Sequence, residues 1–355
     1  MELSAIADLK PDQLHSLLEG IGNTPMVPIY LTIHDQPRKI YLKLEGTNPS
    51  GSIKVRTAYA LVCDLEQRGV LQDDSIILES TSGNLGVALS MLARARGYHF
   101  LAIVDPKTTD ENIAKMRSFG AEIEMVHQPD KTGGYLFARL ERVRQLCEQS
   151  SLYVWTNQYS NMVNPAIHYK QTALEIDQQV NGLIDAIFIA VSTGGTLAGV
   201  ARYFREANPQ TRIIGVDAHG SVIFGAPPAP RKLTGIGASR PSDFITPDLY
   251  DDFLLVNDEE AFAFCRALFH ITNIKVGGSS GAALAACARY LADHHAITEA
   301  VCICPDTGEN YASSIYNDEW LTQQELHIDA LVAQTQALFS HERVSTDVNL
   351  EEASK

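Results

Sequence analysis

A single lysine lies in a turn of small residues directly after an apolar run. Lys54 belongs to the segment Asn-Pro-Ser-Gly-Ser-Ile-Lys-Val-Arg at 48–56, and Ile-Tyr-Leu-Lys-Leu at 40–44 predicts a strand before it. A lysine amine that a turn presents to a partly dry pocket has a lowered pKa and can capture a carbonyl group. Most lysines are solvated surface charges, so the motif needs support from elsewhere in the chain.

Three further loops give that support, because each follows an apolar run and precedes a helix-forming one. They read Glu-Ser-Thr-Ser-Gly-Asn-Leu-Gly at 79–86, Ser-Thr-Gly-Gly-Thr at 192–196 and Gly-Gly-Ser-Ser-Gly at 277–281. Backbone N–H groups at a helix N-terminus hold anions, and paired glycines let the backbone of 192–196 approach a phosphate closely. One such loop is usually a helix cap. Three of them with an isolated lysine indicate a pyridoxal phosphate site.

These motifs make the chain resemble the fold-type II pyridoxal-phosphate enzymes of the cysteine synthase and cystathionine β-synthase family. The resemblance runs from Gly-Ile-Gly-Asn-Thr-Pro at 20–25 to Pro-Asp-Thr-Gly-Glu-Asn-Tyr at 305–311. It implies that Lys54 is the catalytic Schiff-base lysine and the base for the α-proton. It also implies that Asn84 meets the ring hydroxyl of the cofactor and Ser279 its ring nitrogen. The phosphate would be held by Ser192, Thr193, Gly194, Gly195 and Thr196.

Three longer strings resemble one branch of that family, the N-(2-amino-2-carboxyethyl)-L-glutamate synthases of siderophore pathways. They cover residues 78–86, 216–225 and 235–240, and the second differs from generic cysteine synthases. The branch is a group of transferases that condense O-phospho-L-serine with L-glutamate, through an aminoacrylate, on the way to 2,3-diaminopropionate. The resemblance therefore implies these two amino acids as substrates and phosphate as the leaving group.

The substrate-binding residues follow from the same resemblance. The α-carboxylate would be held at a helix N-terminus by residues 81–84, together with Gln158; the four are Thr81, Ser82, Gly83 and Asn84. Gly235 and Ser239 precede Arg240, which is a candidate for the incoming phosphate or the glutamate carboxylate because guanidinium binds both bidentately. A polar loop position is the alternative interpretation of Gln158, and a solvated surface arginine is that of Arg240.

One position departs from the family pattern. The family usually has Asp directly after the lysine, where this chain has Val55. We expect the missing carboxylate to remove a local ion-pair partner of Arg56, or of a neighbouring basic group, and to affect the local packing.

Composition narrows the class of protein. The chain has 355 residues and a formal net charge of −15, which argues against a nucleic-acid partner and an anionic membrane surface. Neither a basic leader nor a run of roughly 18 apolar residues is present, so no membrane partner is expected. The six cysteines form no Cys-x-x-Cys pair, which favours buried thiols in a reducing cytoplasm and no metal site. By resemblance, the enzyme would be a cytoplasmic homodimer.

Strand-like and helical runs alternate for most of the length, which predicts an α/β fold with parallel-rich sheets flanked by helices. The family fold implies two lobes. A smaller mobile lobe, residues 47–165, would be inserted into a larger cofactor-binding lobe, residues 12–46 plus 166–320. A C-terminal helix and polar tail would occupy 321–355. The cofactor is expected between the lobes, at the carboxyl ends of parallel strands.

Two alternative functions stay open at this stage. A cysteine synthase using O-acetylserine or O-phosphoserine with sulfide shares every cofactor residue named above. A non-catalytic binding module that retains the fold is the other alternative, and the intact lysine and glycine-rich loops argue against it.

Overall fold

Two β-sheets covered by helices make up the fold of this computed structural model, which describes residue 16 and residues 18–130, 134–180 and 182–340. The strands are β1 (Met26–Ile33), β2 (Gln36–Leu44), β3 (Ile76–Ser80), β4 (His99–Val104), β5 (Glu122–Met125), β6 (Tyr153–Trp155), β7 (Ala186–Ala190), β8 (Arg212–Ala218), β9 (Asp252–Val256) and β10 (Glu299–Cys304). The α-helices are α1 (Lys54–Gln67), α2 (Asn84–Arg96), α3 (Asp110–Ser118), α4 (Leu136–Gln149), α5 (Val163–Ile167), α6 (Leu174–Gln179), α7 (Gly195–Ala207), α8 (Asp258–Thr272), α9 (Gly278–Asp293), α10 (Asp318–Gln323) and α11 (Asp329–Gln336). Within the described ranges, no helix is long and apolar enough to cross a bilayer.

The larger sheet has the order β1-β2-β10-β7-β8-β9, and the smaller one has the order β5-β4-β3-β6. Only the β1–β2 pair is antiparallel among the strand pairs of the described residues. The central strands β7 and β10 are almost entirely buried, as expected for parallel strands that helices cover on both faces. The predicted α/β class with parallel-rich sheets is therefore confirmed.

The smaller sheet is built from one continuous part of the chain. All four of its strands fall between residues 76 and 155, inside the predicted 47–165 segment. The division into an inserted mobile lobe and a larger lobe stays a proposal. At the chain end, Phe339 forms a bridge with Leu31 of β1, while residues 12–15, 17 and 341–355 of the predicted segments lie outside the described residues.

The carboxyl ends of β2, β3, β7 and β10 lead into the loops that the sequence singled out. The segment before Lys54 pairs with the segment after β10: Ile53 N donates to Pro305 O at 2.7 Å, and Thr307 N donates to Gly51 O at 3.1 Å. Lys54 itself is the first residue of α1. The sequence predicted a turn at this position. The helix begins here because residues 55–67 contain neither glycine nor proline.

The start of α1 is anchored by buried charges. Arg56 Nε donates to Glu45 Oε2 at 2.8 Å and Arg56 Nη1 donates to Glu175 Oε1 at 2.6 Å, while Lys43 Nζ donates to Glu175 Oε2 at 2.8 Å. We call these four residues the buried ion cluster. Val55 packs in the apolar core of the smaller sheet instead. Glu45 and Glu175 thus take the place of the local partner that an aspartate at position 55 would have supplied to Arg56.

Candidate active site

A cleft of about 910 Å³ lies where the loops at the carboxyl ends of the two sheets converge. It is lined by nearly all of the residues predicted from the sequence, namely Lys54, Thr81, Ser82, Gly83, Asn84, Gln158, Ser192, Thr193, Gly194, Thr196, Gly235, Ser239 and Ser279. Of the predicted residues, Gly195 and Arg240 do not line it. Long-range folding thus brings together loops that the sequence could only propose one at a time.

Lys54 presents its amine to this cleft from the first position of α1. Burial lowers the pKa of Lys54 below its ordinary value, and the negative charge of Asp306 opposes that shift only in part. The positive end of the α1 dipole disfavours an ammonium group at this position further. Lys54 Nζ makes no hydrogen bond or ion pair within the described part of the chain. The amine is therefore chemically available, as a carbonyl-capturing lysine requires.

Residues 192–196, here called the phosphate loop, lead from β7 into α7. Gly194 has φ +93°, and a Cβ at Gly194 would collide with the Ser242 hydroxyl. A Cβ at Gly195 would collide with the Asn164 side chain. Both positions consequently require glycine. The backbone N–H groups at the α7 N-terminus stay open to an anion, with the Thr193 hydroxyl beside them.

A buried histidine supports the phosphate loop. His168 begins a π-helical segment, and its Nε2 lies 3.2 Å from Thr57 Oγ1 and 3.4 Å from Thr196 Oγ1. Burial, followed by the charges of Lys54 and Arg56, holds the pKa of His168 well below its ordinary value. A neutral His168 therefore connects α1 with the phosphate loop. The sequence carries no sign of this role, because the π-turn that aims the ring is not visible in the residue pattern.

Asn84 and Asp306 meet on the other side of the lysine. Asn84 Nδ2 donates to Asp306 Oδ2 at 2.8 Å, and the Tyr311 hydroxyl donates to the same oxygen at 2.6 Å. Asp306 Oδ1 is buried without a hydrogen bond, and burial raises the pKa of this carboxyl group. Asp306 fixes one N–H of Asn84 and leaves the second for a ligand. Sequence analysis did not assign Asp306 a role, although its position directly after β10 was a usable signal.

Ser279 is the second residue of α9 and is buried against the cleft. Its hydroxyl makes no hydrogen bond to another described residue. A free hydroxyl at a helix N-terminus suits a neutral ring nitrogen, as the resemblance implies.

One carboxylate holds the two predicted substrate loops together. Glu79, at the end of β3, accepts hydrogen bonds from Ser80 N, Trp155 Nε1, Thr156 Oγ1 and Gln158 N. Gln158 Nε2 in turn donates to Ser80 O at 3.0 Å. These hydrogen bonds connect residues 80–84 with residues 156–158 and place Gln158 beside the α2 N-terminus. The sequence could not reveal this contact, because a buried glutamate inside a short strand has no distinctive pattern.

The cleft also contains a guanidinium that sequence analysis missed. Arg139 of α4 is buried, and its Nε lies 3.2 Å from Asp105 Oδ2. Even so, neither Nε nor Nη1 of Arg139 makes a hydrogen bond. Because Arg139 lines the cleft beside Asp105, its guanidinium is a candidate for binding an anion there.

Arg240, the predicted anion-binding arginine, lies elsewhere. Its guanidinium forms an ion pair with Asp243, and it lies 5.9 Å from the centre of the Tyr159 ring. It does not line the cleft. The structure thus does not bring Arg240 together with the other predicted residues, and its substrate role stays a prediction.

These residues fit pyridoxal phosphate. The two glycines without room for a side chain provide a phosphate site, and Lys54 provides an amine without a partner. Asn84 and Ser279 provide polar groups for the ring hydroxyl and ring nitrogen. The cleft volume lies within the range of small-molecule sites.

Comparisons with known proteins agree with this chemistry. The family model of pyridoxal-phosphate-dependent enzymes matches residues 17–306. Two curated relatives, both called N-(2-amino-2-carboxyethyl)-L-glutamate synthase, come from Ralstonia nicotianae and Cupriavidus metallidurans. The first is 41% identical over 308 residues, which are 87% of this chain and 91% of the relative. The second is 40% identical over 312 residues, which are 87% of this chain and 92% of the relative.

Solved structures show the same architecture. A hydrogen sulfide-producing enzyme from Fusobacterium nucleatum has a TM-score of 0.77 at 31% identity, over 83% of this chain and 97% of that chain. An O-acetylserine-dependent cystathionine β-synthase from Helicobacter pylori has a TM-score of 0.77 at 30% identity, over 85% of this chain and 98% of that chain. Together with the geometry of the cleft, these matches show that the chain belongs to the family of pyridoxal-phosphate-dependent enzymes.

Proposed function

We propose that this enzyme condenses O-phospho-L-serine with L-glutamate to give N-(2-amino-2-carboxyethyl)-L-glutamate and phosphate. It would be a transferase that exchanges a phosphate for an amine at the β-carbon of an amino acid. The names of the two curated relatives and the three branch-specific strings support this assignment. A role in 2,3-diaminopropionate supply, a cytoplasmic location and a homodimeric state stay predictions from the resemblance.

Arg139 is the single observation that carries the choice of phosphoserine. A dianionic phosphate needs a cation in the cleft besides the phosphate loop, which the cofactor would occupy. Arg139 lines the cleft, and its ion pair with Asp105 keeps its guanidinium in place. Charge-assisted pairs of guanidinium and phosphate are among the stronger hydrogen-bonded contacts. An uncharged acetyl leaving group would give this guanidinium no anion to bind.

The remaining residues have defined tasks in this reaction. Lys54, Asn84, Ser279 and the phosphate loop would hold pyridoxal phosphate, which supplies an electron sink for the electron pair left when the α-proton is removed. The Nζ of Lys54, whose pKa burial lowers, accepts that proton. The N–H groups at the start of α2 bind the α-carboxylate, and the Glu79 contacts keep Gln158 beside it.

A comparison of two arginines on α4 tests the phosphoserine assignment. Arg139→Gln removes the cleft guanidinium, whereas Arg142→Gln removes a surface guanidinium of the same helix, which pairs with Glu124 of β5. We expect kcat/KM for phosphoserine to fall roughly 10- to 150-fold in the first variant, the effect of losing a charge-assisted pair. The second should change it by less than about twofold. Equal values for the two variants would overturn the role of Arg139.

The second candidate function is a cysteine synthase. The structural similarity to a hydrogen sulfide-producing enzyme favours this alternative. Supplying phosphoserine with either L-glutamate or sulfide, and identifying the product by mass, separates the two. Formation of the glutamate adduct supports the proposal. Product with sulfide and none with glutamate overturns it, and no turnover with either would favour a non-catalytic module.

A further inference from the structure

A second arginine, Arg231, also lines the cleft. It is half-buried, and it comes from a part of the chain far in sequence from Arg139. Arg231 belongs to the proline-rich segment 226–232, which connects β8 with β9 and lines the cleft with its residues 228–231. Arg139, in contrast, comes from a helix that covers the smaller sheet. The two guanidinium groups therefore enter the cleft from different parts of the fold.

The backbone fixes the guanidinium of Arg231 in place. Its Nη1 donates to Gly220 O at 3.0 Å, and the same oxygen accepts from Ala229 N at 3.2 Å. Gly237, which has φ +79°, packs against the opposite side, where a Cβ would lie 3.1 Å from Arg231 Nε. A guanidinium held by a carbonyl and a glycine loses little conformational entropy when it binds a ligand.

Arg231 also lacks a carboxylate partner. No acidic group of the described residues lies within ion-pair distance of it, because Asp258 accepts from Lys232 N and Leu233 N instead. Asp217 and Asp258 act on Arg231 only over a longer distance. A half-buried cation that forms no ion pair with a described residue, at the cleft where the substrates must meet, can be completed by a substrate anion.

We propose that Arg231 binds a carboxylate of the second substrate, and that it thereby selects a dicarboxylic amino acid as the nucleophile. This inference rests on the proposed function and deepens it. Phosphoserine brings a phosphate, which Arg139 meets, and its α-carboxylate, which the α2 N-terminus meets. The incoming amino acid brings two further carboxylates, and Arg231 is a cleft-lining cation to which the groups of phosphoserine are not assigned. Lys107 also lines the cleft, but its Nζ lies over the Tyr135 ring.

The test compares Arg231→Gln with Lys232→Gln, its neighbour in the same loop. Lys232 is exposed, and its Nζ hydrogen-bonds Gln324 away from the cleft, so its loss removes one charge without touching the site. At saturating phosphoserine, we expect the KM for L-glutamate to rise roughly tenfold or more in Arg231→Gln. It should change less than about twofold in Lys232→Gln. Arg231→Lys, which keeps the charge but not the fork of donors, should lie in between.

L-glutamine as an alternative nucleophile identifies the carboxylate. If Arg231 binds the side-chain carboxylate, the wild type prefers glutamate and Arg231→Gln loses that preference. If it binds the α-carboxylate, Arg231→Gln weakens both nucleophiles equally. The first result supports the inference. The second result, or equal glutamate KM values in Arg231→Gln and Lys232→Gln, overturns it and leaves the proposed function intact. A wild type that uses sulfide and ignores glutamate overturns both.

Discussion

Two sets of cations surround the start of α1, and they differ in how completely they are paired. Lys43, in the buried ion cluster, donates to Thr24 O at 2.7 Å, to Glu175 Oε2 at 2.8 Å and to Gln179 Oε1 at 2.8 Å. Lys54, at the cleft, has no such partner in the described part of the chain. Arg56 and Arg139 give a second comparison of this kind, since Arg56 binds two carboxylates whereas Arg139 pairs with one, Asp105, and lines the cleft.

The difference separates support from chemistry. A buried charged group whose hydrogen bonds and ion pairs are all made within the protein has none left for a ligand. Removing one member of such a pair leaves the charge of the other member uncompensated. A charge that the fold leaves incomplete at a cleft is one that a ligand completes. Substitutions in the first set should therefore lower stability, and those in the second set should lower activity.

Among these substitutions, Lys54→Ala should cause the largest loss of activity. The change removes both the amine that would anchor the cofactor and the base, so we expect turnover to fall by more than about 10³-fold. The free energy of unfolding should change little, because Lys54 Nζ makes no hydrogen bond or ion pair with another described residue. Product formation and urea unfolding measure the two quantities. Lys43→Met is the matched control, and it should show the reverse order of effects.

Glu175→Gln, in the buried ion cluster, should have the second largest effect, and the quantity that it lowers is stability. Burial alone would raise the pKa of Glu175, but hydrogen bonds and attraction from Arg56 and Lys43 outweigh it and lower the pKa to about 2. The ionised carboxylate therefore stabilises the fold fully above about pH 4.5, and this contribution is lost as the pH falls towards 2. At neutral pH we expect a loss of about 3–5 kcal/mol. The variant should also lack this part of the acid dependence in urea unfolding; an unchanged pH profile would contradict the assignment.

Arg240→Gln should have the smallest effect. Its ion pair with Asp243 lies at the surface, where such pairs contribute about 0–1 kcal/mol. We expect kcat/KM for both substrates to change by less than about threefold. A tenfold fall or more would instead support the substrate role that the sequence predicted for Arg240.

Sequence analysis identified the loops that local chemistry defines. Glycine-rich turns between apolar and helical runs are local signals, so Lys54, Asn84, the phosphate loop and Ser279 could be found without a structure. Arg139 could not, because a charge in an amphipathic helix normally belongs to the solvated face. Its direction depends on how α4 packs against the smaller sheet, which no short segment encodes.

The choice between Arg231 and Arg240 shows the same limit within one loop. Both follow the branch-specific string at 216–225, and the segment between them has no periodic pattern. The Gly220 carbonyl and the open side of Gly237 direct Arg231 into the cleft, while Asp243 holds Arg240 outside. Which of the two arginine side chains reaches the cleft depends on contacts between segments. The residue types alone do not reveal it.

The pairing of the segment before Lys54 with the segment after β10 has a consequence for the order of folding. These two stretches come from opposite ends of the family-matched region, so their hydrogen bonds are among the contacts of greatest sequence separation. A nascent or partly refolded chain lacks them and holds Lys54 as an ordinary solvated ammonium group. Cofactor capture would therefore come late in folding, and its rate would report completion of the larger sheet.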